Sequence, residues 1–281
     1  ILLIQNGYRN YAHDVFEIID ENNFDKAEFE IDLFAVFSEA TKNYYSNYIK
    51  GEKLVIGSFR NNQIPIKLSD KNLDIIFISE FASKKHFTPK YNPNDYWYPE
   101  YFFLPIIQEF AINNKLKFKI LGKLNNDQKL KDEEVEFYNK IIGQTNWEYV
   151  ESNEPYESYK KIDKCRFVIF VSSTLGYEAI ARGKPTAALC SRNFKYNKHK
   201  VKNDYNFAWP ANIPDKGIFW TNDCKKDETI NILNFVNNVS HLDWKILKDK
   251  MHKKFMFYND NNELFMDKLK NLNIKIKNQK Y

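Results

Sequence analysis

Short apolar runs punctuate this chain, and stretches of helical spacing separate them. Residues 1–4, 33–37, 54–56, 75–78, 167–171 and 186–189 are runs of this kind. Most stop on small or polar residues: Gln5-Asn6-Gly7, Ser38, Gly57-Ser58, Ser79-Glu80 and Ser172-Ser173-Thr174. A continuous apolar run bounded by turn residues is what a strand buried on both faces requires. Two further strands are read at 147–150 and at 116–122, where Leu116, Phe118 and Ile120 alternate with Lys117 and Lys119 and close on Gly122. Between them, helical spacing runs over 40–49, 101–113, 135–142 and 156–162. It resumes after Thr174 and ends at Gly183 and Pro185, a left-handed cap followed by a residue that cannot continue a helix. Strand and helix in alternation predict an α/β fold of doubly wound parallel sheets.

The stretch 61–74 is polar, carries Pro65, and reads as a linker. It divides the chain into residues 1–60, the C-terminal part of a first domain, and 75–225, a second domain. Helical spacing at 227–239, 244–255 and 262–272 makes 226–281 a set of C-terminal helices. Residues 1–4 read as a buried strand entered midway, with no methionine ahead of them. The chain is therefore expected to begin inside a larger protein, with its first domain truncated.

Composition narrows the class. The chain has 281 residues, 43% hydrophobic and 16% aromatic, with 8 Gly and 9 Pro, which excludes collagen-like, low-complexity and disordered classes. A net charge of +5, from 42 basic and 37 acidic residues, is too dilute to indicate nucleic acid and is compatible with an anionic ligand. Cys165, Cys190 and Cys224 are odd in number and form no CxxC pair, so neither a disulfide framework nor structural zinc is indicated, and a reducing cytoplasm fits. His86, His199, His241 and His252 show no HxxH spacing, which argues against a metal site. No apolar run approaches the ~18 residues of a membrane span. Lys268, Lys270, Lys275, Lys277 and Lys280 crowd the C-terminus, which reads either as a peripheral contact with an anionic membrane surface or as a solvated helix end.

In open parallel sheets, ligands bind beyond the carboxyl ends of the strands, where helix N-termini attract anions. Ser172, Ser173 and Thr174, followed by Leu175 and Gly176, offer a phosphate such a turn. Thr174 and Glu178 share one helix face, so a carboxylate stands one turn above that position, placed to accept hydrogen bonds from sugar hydroxyls. The same residues have a second reading: the hydroxyls cap the helix and Glu178 pairs with Arg182. Lys123, Arg182 and Arg192 are candidate phosphate partners, Arg192 first because it follows the run 186–189. His13, shortly after Gln5-Asn6-Gly7, is either a base for an acceptor hydroxyl or an ordinary helix residue. The aromatic loop 81–97 reads as sugar stacking or as packing between domains.

The stretch from Ser172-Ser173-Thr174-Leu175-Gly176-Tyr177-Glu178 to Arg182-Gly183-Lys184-Pro185 resembles the donor-binding turn of bacterial GT-B glycosyltransferases, especially the surface carbohydrate biosynthesis proteins. Gln5-Asn6-Gly7-Tyr8-Arg9, Ile56-Gly57-Ser58-Phe59 and Phe77-Ile78-Ser79-Glu80-Phe81 resemble other segments of that group in the same chain order. The resemblance implies a GT-B-like fold of two Rossmann-like domains facing across a cleft, the second holding a nucleotide-sugar donor. On it, Ser79, Glu80, Lys123, Ser172, Ser173, Thr174, Leu175, Gly176 and Arg192 are the donor and phosphate residues, and Gln5, Asn6 and Gly7 lie on the acceptor side. His13 and Glu178 are the catalytic candidates. The implied partner is a saccharide or lipid-linked saccharide acceptor at the inner membrane, with no cofactor besides the nucleotide-sugar substrate. The DxD metal motif of the other large glycosyltransferase fold is missing, which favours leaving-group stabilisation by helix dipole, hydroxyls and basic residues.

Three alternatives remain open. A nucleotide-sugar 2-epimerase shares the architecture, but its turn carries adjacent glycines and glutamates that this chain lacks. A polyol-phosphate transferase carries a His-Gly strand end where this chain has Asn6-Gly7. A non-catalytic nucleotide- or carbohydrate-binding scaffold is the reading from a different class.

Overall fold

The computed structural model describes residues 1–9, 11, 15–22, 24–25, 29–69, 72–82, 96–123, 127–154, 156–192 and 206–272. The first part of the chain forms β1 (Leu2–Ile4), α1 (Val15–Glu21), β2 (Glu30–Val36), α2 (Glu39–Tyr45), β3 (Lys50–Val55) and α3 (Phe59–Asn62). Its three strands pair in parallel in the order β1-β2-β3. Ser38 fixes the start of α2 by accepting a hydrogen bond from the Thr41 N–H, which satisfies one of the donors a helix start leaves free.

The second part contains β4 (Asp74–Ile78), α4 (Tyr98–Asn113), β5 (Lys117–Leu121), α5 (Gln128–Ile142), β6 (Glu148–Val150), α6 (Glu157–Lys164), β7 (Phe167–Phe170), α7 (Thr174–Ala181), β8 (Thr186–Leu189) and β9 (Trp220–Thr221). Its six strands form one parallel sheet in the order β6-β5-β4-β7-β8-β9. Strand order reverses between β4 and β7, which opens a crevice beyond their carboxyl ends. All four residues of β7 are buried, as a strand covered on both faces demands. Helices α8 (Lys226–Asn238), α9 (His241–Met251) and α10 (Glu263–Asn271) complete the chain order.

α10 returns to the first sheet, where Phe265 and Leu269 are buried with Leu33, Ala35 and Ile56. Gly57 makes that return possible. Its φ is +77°, and a Cβ there would lie 1.9 Å from the Phe257 carbonyl oxygen. The two sheets are also joined by a stack of Tyr8 on Tyr177, centroids 3.8 Å apart and 4° from parallel.

Several sequence expectations are corrected. β1 is not buried among the described residues: Leu2, Leu3 and Ile4 are 42%, 39% and 38% exposed, β1 pairing with β2 alone. The stretch read as a linker begins inside α3, and its first two residues, Asn61 and Asn62, are buried. Asn62 is held there by hydrogen bonds from its amide to Ile56 O and Asn262 Oδ1. α1 and β9 had no counterpart in the sequence reading. No helix among the described residues is long and apolar enough to cross a membrane.

Candidate functional site

A cleft of about 1260 Å³ lies between the two sheets. Gln5 and Asn6 after β1, and Ser58 and Arg60 at α3, line it from the first part of the chain. From the second part come Ser79 and Glu80 after β4, Lys123 after β5, and Ser173, Thr174, Leu175 and Glu178 at α7. Tyr156 and Tyr159 close the side near β6 and α6.

α7 starts at this cleft without a side-chain cap. Ser173 occupies the N-cap position in extended backbone, but its hydroxyl makes no capping hydrogen bond. The Thr174 hydroxyl does not cap either; it accepts the Tyr8 N–H across the cleft at 2.8 Å. The capping reading of these two hydroxyls is thereby set aside.

Glu178 is 6% exposed, and it does not pair with Arg182. Arg182 is buried in a two-pronged ion pair with Asp163 (2.8 and 2.6 Å), and donates as well to Asn61 Oδ1 and Ile64 O. Glu178 instead accepts the Ser58 hydroxyl at 2.5 Å from the first part of the chain. Burial pushes its pKa up to about 7, against hydrogen bonds from Ser58 and Tyr159 and the charges of Arg60 and Arg182, which pull it down. A carboxyl titrating near neutrality on a cleft wall serves as acceptor or donor to a ligand hydroxyl.

The remaining candidates separate into two groups. Glu80 bridges the crevice where strand order reverses, accepting the Ser172 N–H at 2.6 Å and the Ser172 hydroxyl. Ser172 also accepts from Arg192 Nε at 2.9 Å, so its groups are engaged within the protein and it is not among the cleft-lining residues. Arg192, ranked first among phosphate cations on sequence, is buried and corrected to a brace. Its guanidinium binds both oxygens of Glu100, contacts Glu80 Oε2 and donates to Tyr96 O at 2.8 Å. It also lies 4.3 Å from the Tyr96 ring centroid. Burial opposes its charge, but Glu100, Tyr96 and Glu80 more than offset this and raise its pKa. Glu100, fully buried, is nonetheless raised, because burial outweighs the attraction of Arg192.

Ser79 is a second internally committed residue: it donates to Glu134 and accepts the Tyr138 hydroxyl at 2.6 Å. Gly176 does not meet the cleft. It seats α7 on β7, where a Cβ would lie 2.1 Å from Phe170 Cγ. Gly7 stands behind the lining residues, its carbonyl accepting the Gln5 amide at 3.0 Å, while Gln5 Oε1 accepts the Phe37 N–H. His13 lies outside the described residues, as do residues 83–95 of the aromatic loop 81–97. Among the described residues no cluster of His, Cys, Asp and Glu is arranged to hold a metal ion.

Sequence reasoning missed Ser58, Arg60, Tyr159 and Tyr8 as site residues. The signal for Ser58 was present, since Gly57-Ser58 ends an apolar run. Its pairing with Glu178, 120 positions away, left no local signal.

No curated protein matches the chain. Among solved structures, it is similar to S. aureus MnaA in a co-structure with UDP (TM-score 0.49, 12% identity, 87% of this chain and 60% of that chain). It is also similar to an S. aureus TarM mutant in complex with fondaparinux, alpha-GlcNAc-glycerol and UDP (TM-score 0.49, 15% identity, 96% and 50%). A third is UDP-GlcNAc 2-epimerase from Neisseria meningitidis bound to UDP-GlcNAc (TM-score 0.42, 12% identity, 84% and 59%). The chain thus spans half to three fifths of the length of these structures. The architecture itself, two parallel α/β sheets facing across a cleft, is the GT-B-like, Rossmann-like one. The model of the family described as "putative O-antigen biosynthesis protein" matches residues 2–273, and the chain belongs to that family.

Proposed function

We propose that this protein transfers a sugar from a nucleotide-activated donor to a saccharide or lipid-linked saccharide acceptor in O-antigen assembly. The observation that carries this reading is the meeting, in one cleft, of an uncapped helix start and a buried carboxyl titrating near neutrality. At about 1260 Å³ the cleft exceeds a typical small-molecule pocket of roughly 300–1,000 Å³, leaving room for donor and acceptor together.

As the glycosidic bond breaks, its electron pair passes to a phosphate oxygen of the departing nucleotide. The positive end of α7, the Ser173 and Thr174 hydroxyls and Lys123 would meet that charge, without calling on a metal. Leu175 would pack beside it. Glu178 would accept hydrogen bonds from a ribose or sugar hydroxyl, and Asn6 and Gln5 would face the acceptor. The proposed base on the acceptor hydroxyl is His13. The lysines at the C-terminus, including Lys268 and Lys270, would hold the protein at the anionic inner face of the membrane, from the cytoplasm.

Thermal shift with CMP-, UDP-, GDP- and dTDP-sugars tests the donor, since a ligand of the native state raises apparent stability. Turnover then separates the readings. Transfer to acceptor, with slow donor hydrolysis in its absence, supports the proposal. Interconversion of the donor at C2 identifies an epimerase, and binding without turnover a scaffold.

A further inference from the structure

α3 is a single turn whose side chains are nearly all drawn into the interior. Ser58 caps it, accepting the Asn61 N–H while donating to Glu178. Phe59 packs edge-on against Phe265 with ring centroids 5.5 Å apart. Asn61 receives Arg182 Nη1 at 3.0 Å, and Asn62 is tied to Ile56 and Asn262. Arg60 alone is turned outward: it is exposed, it lines the cleft, and no hydrogen bond or ion pair holds its side chain among the described residues. Its charge nevertheless reaches the cleft wall opposite, favouring the ionised forms of Glu178 and Tyr159.

A guanidinium on an anchored backbone, facing a cleft and meeting no anion among the described residues, is an arrangement suited to a ligand that brings the anion. The facing wall offers the uncapped start of α7 and the ammonium of Lys123, both of which favour negative charge. We propose that Arg60 binds the phosphoryl oxygens of the donor, so that the phosphate is held between the two sheets rather than by the second sheet alone. This rests on the donor reading of the cleft. It adds a residue from the first part of the chain to the donor site, and it makes phosphate binding favour the apposition of the two parts.

The test is calorimetric titration of wild type, Arg60→Gln and Arg60→Lys with UDP, GDP, CDP and dTDP and with the matching nucleosides, beside ligand-free melting curves. The diphosphate that binds wild type should bind Arg60→Gln about tenfold or more weakly, in keeping with a hydrogen bond to a charged group. Its nucleoside should bind both within about twofold, the ligand-free melting temperature should be unchanged, and Arg60→Lys should recover part of the loss. Equal diphosphate affinity in wild type and Arg60→Gln overturns the assignment and leaves the donor reading intact. So does an equal loss for nucleoside and diphosphate, which would mark a structural role. Failure of every nucleotide to bind wild type overturns both.

Discussion

Glu178→Gln has a consequence for stability that can be worked out from its surroundings. The carboxyl has an ordinary pKa of 4.5 in the unfolded chain and about 7 when folded, burial being the main cause. The native state therefore binds the proton more tightly, and stability falls as pH rises between those two values. Below 4.5 both states are protonated and the group contributes no difference; above about 7 the full cost is present. At 1.36 kcal/mol per pH unit, the gap is worth roughly 3 kcal/mol. Glutamine keeps an oxygen to accept from Ser58 but cannot ionise. The variant should thus show a flatter profile, gaining on wild type by roughly 3 kcal/mol from pH 4.5 to 8. Denaturant titrations across that range measure it, and parallel wild-type and variant profiles would refute the buried, proton-binding carboxyl. The same variant tests the ligand role. If Glu178 accepts a donor hydroxyl, nucleotide-sugar affinity should fall by roughly 1.5–3 kcal/mol even as the fold is stabilised at neutral pH. A folding role alone cannot produce that opposition of signs.

Removing the guanidinium with Arg192→Met leaves Glu100 and Glu80 without their counter-charge and should cost roughly 3–5 kcal/mol in denaturant unfolding; a loss under about 1 kcal/mol would show that the brace is not holding the crevice. Thr174→Ala removes the acceptor of the Tyr8 N–H and should cost roughly 1–3 kcal/mol of stability; isothermal titration should show nucleotide-sugar affinity falling as well, and unchanged affinity would leave Thr174 a contact between the two sheets only. Gly57→Ala sets a Cβ against the Phe257 backbone at positive φ, so soluble yield and melting temperature should both drop, whereas a wild-type melting temperature would mean the C-terminal return is readily displaced.

The second sheet was legible from the sequence because its strands are covered on both faces and so read as unbroken apolar runs: β4, β7 and β8 fall within a residue of their expected ends. Elements that break this rule were lost or read in part. β9 has two residues, too few for any pattern, and β3 was read only at its apolar end, 54–56, because its start carries Lys50, Glu52 and Lys53 and is more exposed. Pro105 lies inside α4, and the helical spacing of 101–113 already ran across it, because the apolar pattern continues on both sides. Arg192 misled for a different reason. An arginine is rarely buried, and the carboxylates that make burial tolerable, Glu80 and Glu100, are distant in sequence and carry no mark of their role.

The division between what was and was not legible runs along the cleft itself. One wall is a local object: β7, its turn and α7 are contiguous, so hydroxyls, glycine and carboxylate keep their spacing and can be read as a motif. The other wall is assembled from the ends of β1 and β3, and its relation to the first exists only after both sheets have formed. Ser58 then satisfies Glu178, Tyr8 satisfies Thr174 and stacks on Tyr177, and Arg60 is left facing the space between. Each of these contacts joins the two parts of the chain at a residue that the motif already singled out. The chemistry of α7 is therefore set from across the cleft. The proton on Glu178 and the orientation of Thr174 depend on how closely the two sheets approach, so a ligand that alters that approach alters both together.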